Sequence, residues 1–161
     1  MYVTSIFSML HPLFNQPSYL NFHFQKRECK YDTANCAVNC TSYDFVSEGN
    51  EEALKEAAAT TGLISVAIDA TQPKFAFYRS GVYNDLSCTR KINHAVLVVG
   101  YGTLDYWLVK NSWGTGFGDQ GYIRMAWNRN NPCGIASYAC YLINTCGREA
   151  NYILTTLFEM M

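Results

Sequence analysis

The chain has 161 residues, 49% of them hydrophobic and 15% aromatic, with a formal net charge of −1, which is enough to bury the core of one compact domain. Its 12 basic and 13 acidic side chains are dispersed, without a basic block, so neither nucleic acid nor an anionic membrane is expected as a partner. No apolar run approaches the length of a spanning helix, and MYVTSIFSMLHP lacks the basic start and continuous apolar centre of a secretory signal.

Residues 1–28 are aromatic-rich and aperiodic and predict no element. Further on, Asn50 is placed to cap a helix whose first turn holds Glu51 and Glu52, suited to the positive end of its dipole. Leu54, Ala57 and Ala58 share one face of that helix, and Gly62 ends it. Leu63–Ala70 reads as a strand, and Pro73–Gly81 as a short helical turn closed by glycine. From His94 onward three strand-like runs follow, HAVLVVGYG, DYWLVKN and QGYIRMAW, joined by short Gly-rich links. Ala95 to Val99 are apolar without alternation, the mark of a strand buried on both faces. The pattern predicts an antiparallel sheet or partial barrel preceded by one helix, and residues 144–161 carry no capped or alternating pattern.

The chemistry is concentrated around one imidazole. Most histidines beside a buried strand are packing residues, so a role for His94 requires partners. Asn111 ends the next strand, where the hairpin from Tyr101 to Tyr106 returns it toward His94. Its amide oxygen can accept a ring N–H and fix the imidazole, with Trp113 covering the bond against water. Gly116, Gly118 and Gly121 match G-x-G-x-x-G, but no helix follows them and no kinase signature accompanies them, so they read as turn glycines.

Seven cysteines are many for a reducing compartment. Cys29, Cys36 and Cys40 lack any C-x-x-C spacing, so disulfides are favoured over zinc and no metal or cofactor is expected. Asn39-Cys40-Thr41 is an N-glycosylation sequon, making Asn39 a candidate for modification in an oxidising compartment.

NHAVLVVGYG, YWLVKNSWG, GYIRMA and NPCGIAS, together with ECKYD and ALKEAAATTGLISVAIDA, closely resemble the C-terminal half of papain-family cysteine proteases, most nearly the cathepsin S, K and L group. The resemblance spans about residues 29–143, leaving 1–28 and 144–161 unassigned. It implies an α+β fold, the right-hand, barrel-like antiparallel domain of the papain fold with one main helix and without the N-terminal helical domain. It makes His94 the catalytic histidine, Asn111 its orienting partner and Trp113 the indole over both. It pairs Cys88 with Cys133, and walls the pocket for the residue two before the cut bond with Ala67, Ile92, Ala95 and Tyr138. The aromatic Tyr138 would shorten that pocket and favour Leu or Val over Phe.

The same resemblance leaves the nucleophile unassigned. The family's C-G-[SA]-C-[WY] signature stands roughly 130 residues before the histidine, and counting back from His94 passes Met1. By the resemblance Cys88, Cys133 and Cys29 are bridge cysteines, and Cys36, Cys40, Cys140 and Cys146 lack the expected glutamine and helix-start context. The expected function is therefore a cysteine-type peptidase working by thiolate–imidazolium chemistry, carried here by an incomplete chain that lacks its nucleophile and is inactive alone. The alternative is a non-catalytic truncated homologue that binds or regulates, or an aberrant transcript or gene model. Peptide or protein substrates are expected once an N-terminal half completes the cleft, and self-association through the exposed half-cleft until then. A lysosomal or extracellular location follows from the resemblance.

Overall fold

The computed structural model describes residues 40–145, and side chains from Ser42 to Ile143. Asn39, Cys29, Cys36, Cys146 and the two unassigned ends, up to residue 39 and from residue 146, lie outside the described residues, as does the side chain of Cys40. In chain order the elements are β1 (Cys40–Phe45), α1 (Glu51–Thr61), β2 (Ile64–Ile68), α2 (Pro73–Ala76), β3 (Val82–Tyr83), β4 (His94–Gly102), β5 (Tyr106–Lys110), β6 (Tyr122–Ala126), a 3₁₀ turn (Pro132–Gly134) and β7 (Ala139–Thr145).

Helix α1 is bounded by the residues that predict it. The Asn50 side chain accepts from Ala53 N–H at 3.0 Å, and Gly62 leaves the helix at φ +92°, a backbone region that disfavours residues with a Cβ. Leu54 is fully buried on the sheet side, a burial that contributes about 2 kcal/mol.

The strands form one sheet in the order β1-β7-β2-β4-β5-β6-β3. It is antiparallel except where the two-residue β3 lies parallel to β6 at one edge. The order is linear, with β1 and β3 as edges, so the sheet is barrel-like only in a loose sense. β1 and β7 are strands that the sequence patterning does not single out.

β4 lies between β2 and β5. Ile64, Val66 and Ile68 of β2, Val96 and Val98 of β4, and Val109 of β5 point to one face, joined there by Leu54 of α1 and Trp107 in the main core cluster. Ala67, Ala95 and Leu97 occupy the other face, and Leu97 is also only 1% exposed. β4 is thus buried on both faces at its centre, as its unbroken apolar run predicts.

Candidate functional site

His94 is the first residue of β4 and lies opposite Ile68 of β2. Its relation to Asn111 depends on an irregularity in the neighbouring pairing. Gly100 pairs with Leu108 and Val98 with Val109, so Val99 is an extra residue on β4, a β-bulge. Beyond the bulge Leu97 pairs with Lys110, and continuing by one residue sets Asn111 opposite Val96. His94 and Val96 share a face, so Asn111 joins them. Without the extra residue Asn111 would oppose Leu97, and its side chain would leave through the other face.

His94 Nε2 and Asn111 Oδ1 lie 2.8 Å apart. The same oxygen accepts the Ser112 backbone N–H at 2.8 Å, which identifies it as the carbonyl end of the amide, because an NH₂ group could not accept that proton. A carbonyl oxygen has no proton to offer, so His94 donates through Nε2–H and Nδ1 is the nitrogen left with a lone pair in the neutral ring. Asn111 is buried, and its own N–H donates to Gly121 O at 2.9 Å, fixing its backbone to the start of the β6 hairpin arm.

Aromatic rings flank the imidazole. The Trp113 ring is 5.2 Å from the imidazole, centroid to centroid, tilted by 40°. Phe75, fully buried at the end of α2, meets Trp113 edge-on at 5.5 Å and His94 at 6.2 Å. Trp113 itself is 47% exposed, so one side of this aromatic wall faces outward. Burial pushes the His94 pKa below its ordinary 6.5, and the hydrogen bond with Asn111 offsets only part of that shift.

The link from Asn111 to Gly121 runs from strand to strand and opens no helix. Gly118 adopts φ +53°, and a Cβ there would collide with the Tyr122 carbonyl. The glycines of this link therefore serve the turn.

Of the pocket residues expected from resemblance, Ile92 and Tyr138 line one open cavity of about 500 Å³, together with Glu48, Arg90, Asn131 and Ser137. Ala67 and Ala95 face each other across β2 and β4, on the sheet face opposite Asn111, and do not line that cavity. They connect to it through the backbone, since Ala67 N–H donates to Tyr138 O at 3.0 Å.

Cys88 and Cys133 form a disulfide with a Cα–Cα distance of 4.9 Å. Cys140 is a free, buried thiol whose pKa is pushed up to about 11 by burial. It is held as a thiol, whereas a nucleophile needs the thiolate.

Two residues that the sequence reading did not single out support this arrangement. One is Phe75, whose signal was its place in the aromatic run PKFAFY. The other is Asp69, only 1% exposed at the end of β2, where a carboxylate following an apolar strand has to find buried partners. Among the described residues no group of three or more His, Cys, Asp or Glu is placed to hold a metal ion, and no helix is long and apolar enough to cross a membrane.

A sequence profile described as papain family cysteine protease matches residues 5–143, reaching further toward the N-terminus than the motifs quoted above. The chain is 62% identical over 117 residues to cathepsin S of Mus musculus, a match covering 71% of this chain and 34% of that protein. It is 51% identical over 118 residues to cathepsin L of Sarcophaga peregrina, covering 70% and 35% respectively. Among solved structures, the digestive procathepsin L2 proteinase of Tenebrio molitor larval midgut superposes with a TM-score of 0.72 at 42% identity, over 76% of this chain and 40% of that one. Procathepsin L 3 from the same tissue gives a TM-score of 0.76 at 35% identity, over 87% and 47%. The chain spans about a third of the length of the curated relatives it matches.

Proposed function

Because the chain belongs to the papain family of cysteine proteases, we propose that it supplies the histidine half of a thiol peptidase site, with His94 as the proton carrier and Asn111 as its orienting partner. The observation that carries this reading is the 2.8 Å contact between His94 Nε2 and an Asn111 oxygen whose identity Ser112 fixes. With Nε2–H committed to Asn111, Nδ1 is the nitrogen that exchanges protons with reactants. It takes the proton of a cysteine thiol, leaving a thiolate, and gives that proton to the leaving amine after the thiolate has attacked the peptide carbonyl. Trp113 shields the orienting bond from water.

The nucleophile, in this reading, comes from outside these 161 residues. Among the described side chains, Cys88 and Cys133 are bonded to each other and Cys140 is a buried thiol; Cys29, Cys36, Cys40 and Cys146 are set aside on their sequence context alone. The lowered His94 pKa agrees with that division. Burial favours the neutral ring, and a neighbouring thiolate would favour the imidazolium by its negative charge. Substrates would then be peptides or proteins, with Tyr138 shortening the pocket for the residue two before the cut bond and so favouring Leu or Val over Phe. The disulfide suits a lysosomal or extracellular compartment.

The purified chain is expected not to cleave a Leu-Arg or Phe-Arg fluorogenic dipeptide, and not to be labelled by an epoxide that traps cathepsin thiolates. Adding in trans the N-terminal half of a cathepsin, with its own cysteine, is expected to produce activity that His94→Ala abolishes. Labelling of the isolated chain at one of its own cysteines, with cleavage, would overturn the assignment of an external nucleophile. Failure of the two halves to act although folded and bound to each other would overturn the role given to His94 and favour a binding function.

A further inference from the structure

We propose that Asp69 is a positioning residue for His94, acting through Asn93. The Asp69 carboxylate lies at the crossing of the segments that present the histidine. Its Oδ1 accepts from Thr71 N–H at 3.0 Å, Thr71 Oγ1–H at 2.6 Å and Asn93 Nδ2–H at 3.0 Å. Its Oδ2 accepts from Thr89 N–H at 2.8 Å and Thr89 Oγ1–H at 2.7 Å. The Thr89 hydroxyl in turn accepts Lys91 N–H at 3.1 Å. Around this centre the backbone is tied as well: Asn93 N–H donates to Ile68 O at 2.9 Å, Ala70 N–H to Asn93 Oδ1 at 3.1 Å, and Asp69 N–H to Cys133 O at 2.8 Å.

His94 is the terminal residue of its strand, and strand and helix ends fray unless something holds them. Asn111 is anchored on a different strand, through Gly121. The β4–β5 pairing decides which face Asn111 takes; the approach of the two side chains is then held at each end, on the histidine side by the Asp69–Asn93 pair. A carboxylate buried here has to be satisfied in full, so it gathers Thr71, Thr89 and Asn93 into one geometry and stiffens the residue immediately before His94. A displacement of about 1 Å between reacting groups can cost on the order of a hundredfold in rate, which makes this anchor consequential for a group that carries protons.

The inference rests on the role proposed above for His94, but its test reads the position of the ring and needs no catalysis. In the ¹⁵N-labelled 161-residue chain at neutral pH, the exchange of the His94 Nε2 proton with solvent reports how often the bond to Asn111 opens, and His94→Ala identifies the resonance. Asp69→Asn and Asn93→Ala are each expected to speed that exchange by roughly fivefold to tenfold, the loss of about one net hydrogen bond. The two changes combined are expected to do no more than Asp69→Asn alone, because they act on one path. Glu51→Gln, which removes a carboxylate acceptor from a loop distant in sequence, is expected to leave the exchange unchanged. Should Asp69→Asn not fold, Asn93→Ala decides alone, since Asn93 is exposed and its removal leaves both threonine contacts of Asp69 in place. Wild-type exchange in folded Asn93→Ala, or equal acceleration by Glu51→Gln, would overturn the proposal.

Discussion

Asp69 and Glu51 do similar work in different surroundings. Each is a carboxylate that collects donors from remote segments. Glu51, in the first turn of α1, accepts from Trp107 Nε1–H at 3.4 Å, Asn128 N–H at 2.9 Å and Asn131 N–H at 2.8 Å. It thereby holds a loop in which Asn128, Asn130 and Asn131 all have φ between +55° and +61°, a conformation that asparagine tolerates better than most residues. Glu51 is half-buried, whereas Asp69 is closed off from solvent and takes five donors. The difference shows what burial demands of a charge. Glu51 can take water in place of a lost donor; Asp69 has to keep its own.

The Cys88–Cys133 bridge joins the two regions, since Cys88 adjoins Thr89 of the Asp69 cluster and Cys133 follows the loop that Glu51 holds. Breaking it is the largest perturbation expected. The bonded residues are 45 apart in sequence, and on the chain-entropy account closing such a loop contributes roughly 4 kcal/mol. The paired Cys88→Ala and Cys133→Ala variant is expected to lose about that much in urea unfolding. A loss below about 1 kcal/mol would mean that the two carboxylate clusters hold the loop closed without it.

Next in size are the carboxylates themselves. Asp69→Asn puts an NH₂ group against the donors of Thr71 or Thr89 and is expected to cost about 2–4 kcal/mol, the range for disrupting a buried charged hydrogen-bond centre. Glu51→Gln keeps one acceptor oxygen at a half-solvated position and is expected to cost about 1 kcal/mol. Equal losses would contradict the dependence on burial drawn above. Acid separates them further. Burial by itself would raise the Asp69 pKa, but the hydrogen bonds of Thr71 and Thr89 outweigh it and hold the group well below its ordinary 3.8. A carboxylate depressed in the folded state stabilises at pH above its unfolded value and loses that contribution as pH falls through the folded one. The variant's deficit is thus expected to shrink only below about pH 4, where the wild-type carboxylate also begins to lose its advantage.

The parts legible in the sequence are those whose signal is local. Asn50 and Gly62 bracket α1 by backbone preference, and the uninterrupted run from Ala95 to Val99 marks a strand covered on both sides. The Cys88–Cys133 pairing was legible only through resemblance. What stayed hidden depends on non-local pairing. Val99 does not differ in kind from Val98, yet one is a bulge and the other is not, and that choice sends Asn111 to the histidine's face. β7 buries Ala139 in the main core and Cys140 on the opposite face, so its sequence lacks the alternation of a half-exposed strand. β1 is an edge strand that leaves Tyr43 and Phe45 partly exposed and is recognisable only through its partner. Asp69 looks like the end of a strand until Thr89 and Asn93 arrive from a later loop.

The smallest effect concerns a half-buried ionisable group, His94, and it sharpens the contrast between burial and hydrogen bonding. Asp69 has enough donors to overcome desolvation; His94 has one side-chain partner, Asn111, and for it desolvation prevails, so its pKa lies below 6.5. The sign of the resulting stability change follows from proton counting. Below about pH 6.5 the unfolded chain takes up the His94 proton before the folded chain does, so stability falls with falling pH until the folded ring also protonates, and it is fully present above that range. His94→Gln removes this component while leaving His11 and His23 in place. Between pH 8 and pH 5 the wild type is expected to lose stability relative to His94→Gln, by less than about 1 kcal/mol. Urea midpoints that stay parallel across that range would show that the imidazole is as well solvated as in the unfolded chain, and the aromatic wall of Trp113 and Phe75 would then not be closing over it. A reversed trend, with the wild type gaining on acidification, would mean that a negative charge already stands beside Nδ1, the place reserved above for a thiolate from outside the chain.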